Sequence, residues 1–132
     1  MRAVARREHS RATLDVRLER SGVRGAERAS TVEAAARAGL VDDARFAERR
    51  AQHLASRGAG DLFVLSDLER NGIDDATARS AVEALEPEVV RAERIVSSRG
   101  SSTRTLRYLA SRGYSEESLE RLVADLESRA LG

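Results

Sequence analysis

The chain contains no cysteine and no lysine, and it has a single proline, Pro87. The absence of cysteine excludes disulfide bonds, thiol chemistry and metal sites with cysteine ligands. No apolar run approaches the roughly 18 residues that a membrane-spanning helix needs. The basic N-terminal segment has no apolar stretch behind it, as a secretory signal would. We therefore expect a cytoplasmic protein that has no membrane partner.

Aromatic residues are also scarce, at 3% of the chain, although hydrophobic residues make up 41% and charged residues 34%. Alanine, leucine and valine carry most of the apolar share, and with so little proline this mixture favours helix over sheet. A mass of 14.4 kDa suits one ordinary domain or a short array of small helical units. We predict an all-α fold.

Every basic residue is arginine, whose planar guanidinium can donate two hydrogen bonds to one phosphate or carboxylate. The net charge of +1 hides blocks of opposite sign. Residues 1–25 carry +4 and residues 91–112 carry +5, whereas residues 58–90 carry −6 and residues 114–128 carry −4. Two basic blocks flanking an acidic one suggest a partner surface that is not uniformly anionic.

One phrase occurs three times along the chain. It reads LERSGV at Leu18–Val23, LERNGI at Leu68–Ile73 and LASRGY at Leu109–Tyr114. Eleven or twelve residues before each glycine stands a residue able to cap a helix N-terminus, and apolar residues recur between them at helical spacing. The capping residues are Ser10, Gly60 and Ser102. Each copy therefore predicts a helix that ends at a glycine turn.

A second helix is predicted after each glycine, and a further helix before each copy. Asp74 and Ser115 can cap the second helix in two copies, whereas Arg24 stands at that position in the first copy and predicts a ragged start. The preceding helices are predicted within 2–8, over 42–57 and over about 88–98. We predict three tandem three-helix, helix-turn-helix-like repeats, at 1–39, 40–86 and 87–132, that form an elongated, curved array.

The segment AGLVDDARFAERR, Ala38–Arg50, predicts a helix stop at Gly39 and a new cap at Asp42. Val41 is spaced to contact Phe46 across that helix start. Together with ARREHSRATL near the N-terminus and RTLRYLASRGYSEESL at Arg104–Leu119, the segment resembles the RecX family of bacterial recombination regulators. The likeness covers nearly the whole chain, and the three motifs stand in the family's order.

The resemblance implies three tandem three-helix repeats and a regulator of homologous recombination and the SOS response. Members of the family bind the recombinase RecA, lie in the groove of its filament on DNA, and restrain its ATPase and strand-exchange activities. They are not enzymes. The family's middle repeat is commonly basic, but here it reads SRGAGDLFVLSDLERNG, with Asp61 at the usual proline position. That departure weakens the case for an anion contact there, and Phe63 is either a core residue, which we favour, or an apolar partner contact.

No catalytic, cofactor or metal site is expected. The two histidines are typical of polar helix faces, and the pairs Asp42-Asp43 and Asp74-Asp75 follow helix stops, where capping explains them. The arginine clusters are the candidate surface for RecA or DNA phosphate, the alternative being a solvated face. The candidate partner-binding residues are Arg7, Arg11, Arg57, Arg99, Arg104, Arg107, Tyr108 and Arg112.

We expect a monomer that binds the RecA filament, with weak accessory DNA contact and no small-molecule substrate. The alternative is a helix-turn-helix-type DNA-binding protein that acts directly on nucleic acid. The acidic block at residues 58–90 and the small net charge disfavour that alternative as the main role.

Overall fold

The computed structural model describes residues 9–131, and the regular structure in that range is entirely helical, as predicted. The helix predicted within 2–8 and the candidate residue Arg7 lie outside the described residues. The helices are α1 (Arg11–Arg20), α2 (Gly25–Arg37), α3 (Asp43–Ser56), α4 (Asp61–Arg70), α5 (Asp75–Glu83), α6 (Glu88–Arg99), α7 (Thr103–Ser111) and α8 (Glu116–Leu131).

Predicted side-chain caps start five of these helices. The side chains of Ser10, Asp42, Asp74, Ser102 and Ser115 each accept the backbone N–H three residues further on, at 2.8–3.3 Å. Each such cap is worth about 1 kcal/mol. At the one predicted defect, Arg24 makes no capping side-chain bond, and α2 begins at Gly25 without one.

The repeated phrase forms the same helix-ending turn three times. Gly22, Gly72 and Gly113 have φ angles of 89°, 77° and 90°, a region that favours glycine. The next residue then donates its N–H back to the leucine that opens the phrase, at 3.0 Å from Val23, 3.0 Å from Ile73 and 3.1 Å from Tyr114. This backbone pattern is the Schellman motif, which the phrase predicts from its glycine and following apolar residue.

The apolar faces pack in three clusters. Helices α1 and α2 pack together, α3, α4 and α5 form a second group, and α6, α7 and α8 form a third. We call residues 9–39, 40–86 and 87–131 the first, second and third units, although the boundaries themselves stay a prediction. Val41 and Phe46, which the sequence pairs, belong to different clusters: Val41 packs with Leu14 and Val32, and Phe46 packs against the core of the second unit.

Helices α1, α4 and α7, each of which ends in the repeated phrase, meet end to end. At one junction Gly60 N–H donates to the Arg112 carbonyl at 2.8 Å, and Leu62 N–H donates to the Gly113 carbonyl at 3.0 Å. At the other junction the Ser10 hydroxyl donates to the Asn71 carbonyl at 2.8 Å. The C-terminus of α7 therefore faces the N-terminus of α4, and the C-terminus of α4 faces the N-terminus of α1. We call α7, α4 and α1 the helix series; facing opposite helix ends in this way favours the contact electrostatically.

Candidate basic partner surface

Several predicted site residues converge where the second and third units meet. Arg112 donates to the Arg57 carbonyl at 3.0 Å, and its guanidinium carbon lies 5.6 Å from the centre of the Phe63 ring. The guanidinium carbon of Arg99 lies 3.6 Å from the centre of the Tyr108 ring. We call Arg57, Arg99, Tyr108 and Arg112 the basic cluster. The Tyr108 hydroxyl lies close to the chain next to Arg57: a Cβ placed on Gly58 would be 3.9 Å from it. Tyr108 therefore connects Arg99 to the part of the cluster around Arg57.

The basic cluster is equipped to bind an anionic group. A guanidinium stacked on an aromatic face, as that of Arg99 is on Tyr108, keeps its N–H edges free for bidentate bonds to a carboxylate or phosphate, whereas Arg112 uses one N–H on the Arg57 carbonyl. Within residues 9–131, no carboxylate forms an ion pair with any of its three arginines. The charge at this junction is therefore available to a partner.

Arg104 and Arg107 are exposed on α7 and complete the basic face of the third unit. Arg104 and Arg99 line an open cavity of about 550 Å³ together with Ser102, Thr103 and Thr105. Arg107 is not among the residues that line it. The sequence places Arg104, Arg107 and Arg112 near one helix face, but Arg112 lies at the C-cap of α7 and its guanidinium is directed to Arg57.

Arg11 lies elsewhere, in the first unit. Its backbone N–H donates to the Asp43 carboxylate at 2.7 Å, and its guanidinium is paired with Glu33. Arg11 thus joins the start of α1 to the start of α3. The structure does not bring it to the basic cluster.

A buried arginine at the same junction of the second and third units was not among the predicted site residues. Arg91 is 6% exposed, and it donates to the Asp61 carboxylate at 2.7 Å, to the Ala59 carbonyl at 2.9 Å and to the Glu86 carbonyl at 3.2 Å. Burial raises the pKa of Asp61, and the hydrogen bond from Arg91 opposes that rise. Asp61, the departure from the family pattern, is therefore used inside the protein.

Glu88, one turn before Arg91 on α6, joins the same two units. One carboxylate oxygen accepts the Asp61 N–H at 2.5 Å, and the other accepts the Ser115 N–H at 3.0 Å and the Ser115 hydroxyl at 2.8 Å. A single side chain thus serves the first turns of both α4 and α8. Burial alone would raise the pKa of Glu88, but the hydrogen bonds that it accepts outweigh burial and the pKa is lowered.

Sequence reasoning missed Arg91 and Glu88 because their roles depend on contacts with a neighbouring unit. The only local indication is the acidic residue Asp61 directly after the capping Gly60, and it does not show which arginine Asp61 pairs with. Phe63 is half-buried and packs against the core of the second unit, as favoured, with the Arg112 guanidinium over its ring; the option of an apolar partner contact stays a prediction. Over the described residues, no helix is long and apolar enough to cross a membrane, and no group of three or more histidine, aspartate or glutamate residues could hold a metal ion.

Comparison with the sequences of known proteins identifies relatives of this chain. No family model matches the chain. A protein of Chromohalobacter salexigens named "Regulatory protein RecX" is 36% identical over 94% of this chain and 88% of its own length. Proteins of the same name from two strains of Acidithiobacillus ferrooxidans are 30% identical over 93% of this chain and 85% of their own length.

The fold also has a solved counterpart. The crystal structure of RecX from Lactobacillus salivarius superposes with a TM-score of 0.80, covering 96% of this chain and 90% of that one. The two chains are 16% identical, so this likeness supports the helical fold and not the details of the surface.

Proposed function

The chain belongs to the RecX family of regulatory proteins, and from that premise we propose that it regulates homologous recombination and the SOS response by binding the RecA filament. In this proposal it restrains the ATPase and strand-exchange activities of the filament and catalyses no reaction of its own.

The observation that supports the proposal is the basic cluster on a junction that several hydrogen bonds hold together. Its arginines have no carboxylate partners among the described residues, whereas Arg91 and Glu88 fix the two units beneath them. A surface that is already ordered loses little side-chain freedom on binding, so more of its contact energy appears as affinity. This arrangement suits docking to a macromolecular partner better than it suits chemistry on a small substrate.

Inhibition requires a preference between filament states. A bound protein shifts an equilibrium only by the difference between its affinities for the two states. We propose that the units contact neighbouring RecA subunits and favour the arrangement that turns over ATP slowly. Bridging would then restrain the filament without any covalent step.

Measuring the DNA-dependent ATPase of cognate RecA against increasing amounts of this protein tests the proposal. We expect Arg57→Glu to raise the concentration needed for half inhibition on the order of tenfold, since it reverses a charge within the basic cluster. Arg37→Glu is the matched control, because Arg37 is also exposed at the C-terminal end of a helix but lies in the first unit. An ATPase rate that stays unchanged at saturating wild-type protein would sink the proposal.

The alternative, direct DNA binding, has one supporting observation: Arg104 and Arg107 are exposed on the second helix of a three-helix unit. It predicts binding to DNA without RecA that weakens steeply between two salt concentrations and collapses in the Arg104→Ala/Arg107→Ala double variant. Inhibition of RecA with negligible affinity for bare DNA would reject it.

A further inference from the structure

The helix series has an open N-terminal end at α7. At the N-terminus of α1 an acceptor arrives from the second unit, the Asn71 carbonyl, and at the N-terminus of α4 the carbonyls of Arg112 and Gly113 arrive from the third. Within the described chain, no such group reaches the equivalent start of α7 at Ser102 and Thr103. The open cavity of about 550 Å³ lies there instead.

The surface around this end combines positive charge with an apolar floor. Arg99 and Arg104 line the cavity, with the hydroxyl residues Ser102 and Thr103 between them. A second cavity of about 300 Å³ shares those two hydroxyl residues and extends between α7 and α8. Its apolar lining is Leu106, Val123, Leu126 and Ala130, with Glu127 as its one acidic residue. We call the two cavities together the end surface.

We propose that the end surface docks an acidic segment of a protein partner, with a carboxylate in the arginine-lined cavity and an apolar side chain in the adjoining groove. The proposal rests on the proposed function, and it specifies which chemistry of the partner this end of the protein recognises. The segment would take the place that the next unit takes at the two internal junctions.

The internal junctions indicate that the occupant carries a carboxylate. At the start of α4, the N–H of the first helical residue, Asp61, is bound by the Glu88 carboxylate at 2.5 Å. Thr103 is the first helical residue of α7 and therefore holds the equivalent position. Arg99 and Arg104 add charge that a neutral carbonyl would leave unmatched. The apolar groove alongside favours a peptide over a nucleic-acid phosphate, which brings no apolar side chain.

A second copy of this chain is the other occupant that the geometry suggests. The turn at Gly22 has the same form as those at Gly72 and Gly113, and a Cβ on Gly22 would meet no atom of residues 9–131 within 4 Å. That turn, however, is flanked by Arg20 and Arg24, so docking it would place like charges against Arg99 and Arg104. Like charges brought together disfavour that pairing. The observations therefore favour an acidic partner.

The test is fluorescence anisotropy with a labelled peptide of sequence Glu-Leu-Glu-Glu-Leu-Glu, blocked at both ends. We expect the wild-type protein to bind it, Arg104→Glu to weaken binding on the order of tenfold, and Arg121→Glu to change it by about twofold or less. Arg121 is also an exposed arginine of the third unit, on α8, but it lines neither cavity. A peptide with glutamine in place of glutamate should bind poorly, because the charge is then missing. Far-UV circular dichroism of both variants confirms that they are folded.

Several results would overturn the inference. The first three are absence of peptide binding by the wild type, equal losses in the two variants, and tighter binding of a ten-nucleotide oligothymidylate that Arg104→Glu abolishes. The fourth is concentration-dependent self-association in sedimentation runs that Arg104→Glu removes, which would identify the second copy as the occupant. RecA inhibition without peptide binding rejects this inference alone, whereas peptide binding without RecA inhibition rejects the proposed function alone.

Discussion

Replacing Gly60 by alanine measures how closely the second and third units are packed. A Cβ at this position would lie 2.5 Å from the Gly113 carbonyl oxygen and closer still to the backbone atoms Gly113 C and Tyr114 N. The φ of −85° and ψ of 172° at Gly60 suit alanine, so the effect comes from the contact and not from backbone strain.

The expected loss of stability on Gly60→Ala depends on which contacts must shift to make room for the Cβ. Overpacking of this kind costs about 1–3 kcal/mol. If the units separate to relieve it, the bonds from Gly60 N–H and Leu62 N–H to the neighbouring turn are weakened, at about 1 kcal/mol each. We expect the free energy of unfolding to fall by about 2–4 kcal/mol, a large part of the roughly 5–15 kcal/mol of an ordinary domain.

Urea denaturation followed by far-UV circular dichroism measures the change, with two further variants as controls. Gly25→Ala adds a Cβ in the first turn of α2 that meets no atom of the described residues within 4 Å, and it should stabilise the protein by up to about 1 kcal/mol. Gly60→Ser separates capping from crowding: serine is a good N-cap, yet its Cβ meets the same backbone atoms. A Gly60→Ser protein at least as stable as the wild type would refute the reasoning.

Two further predictions concern buried charges. Arg91→Met leaves Asp61 and two carbonyls without their donor and should cost about 3 kcal/mol in the same denaturation assay, with partial recovery in the Asp61→Asn/Arg91→Met double variant; a loss below about 1 kcal/mol would contradict it. The second concerns Asp67, whose pKa is lowered chiefly by the hydrogen bond from Arg50, at 2.7 Å. Its stabilising effect is present above the unfolded-state pKa of about 3.9 and is lost as pH falls through the lower folded-state pKa, so Asp67→Asn should flatten the decline of stability between about pH 5 and pH 2. An unchanged acid limb would contradict that assignment.

The sequence predicts most of the local structure because the signals are local. A serine or aspartate accepts an N–H three residues away, and a glycine takes a positive φ that its own position requires, so both can be recognised from neighbouring residues alone. Helix starts at Ser10, Asp42 and Ser102 follow from this. The glycine turns at Gly72 and Gly113 follow in the same way.

The contacts between units could not be predicted in the same way. Gly60 is plausible as an N-cap from sequence, and its second constraint, the nearness of the Gly113 turn, exists only once two units are docked. Arg91 carries no mark that distinguishes it from the exposed arginines around it, because its burial depends on where Asp61 and Ala59 come to lie. For the same reason, the direction of Arg112 towards Arg57 is a property of the junction and not of α7.

The charge at the start of α7 is best explained by a role outside the folding of the chain. A helix N-terminus favours acidic residues in its first turn, and a basic residue there costs about 0.3–1 kcal/mol. The first turn of α4 carries Asp61, and Arg11 at the start of α1 is balanced by Glu33 and Asp43. The first turn of α7 has no acidic residue and carries Arg104, which has no carboxylate partner among the described residues. A local choice that opposes helix stability without internal compensation is expected at functional sites. An acidic partner at the end surface would remove this unfavourable interaction and gain affinity in doing so.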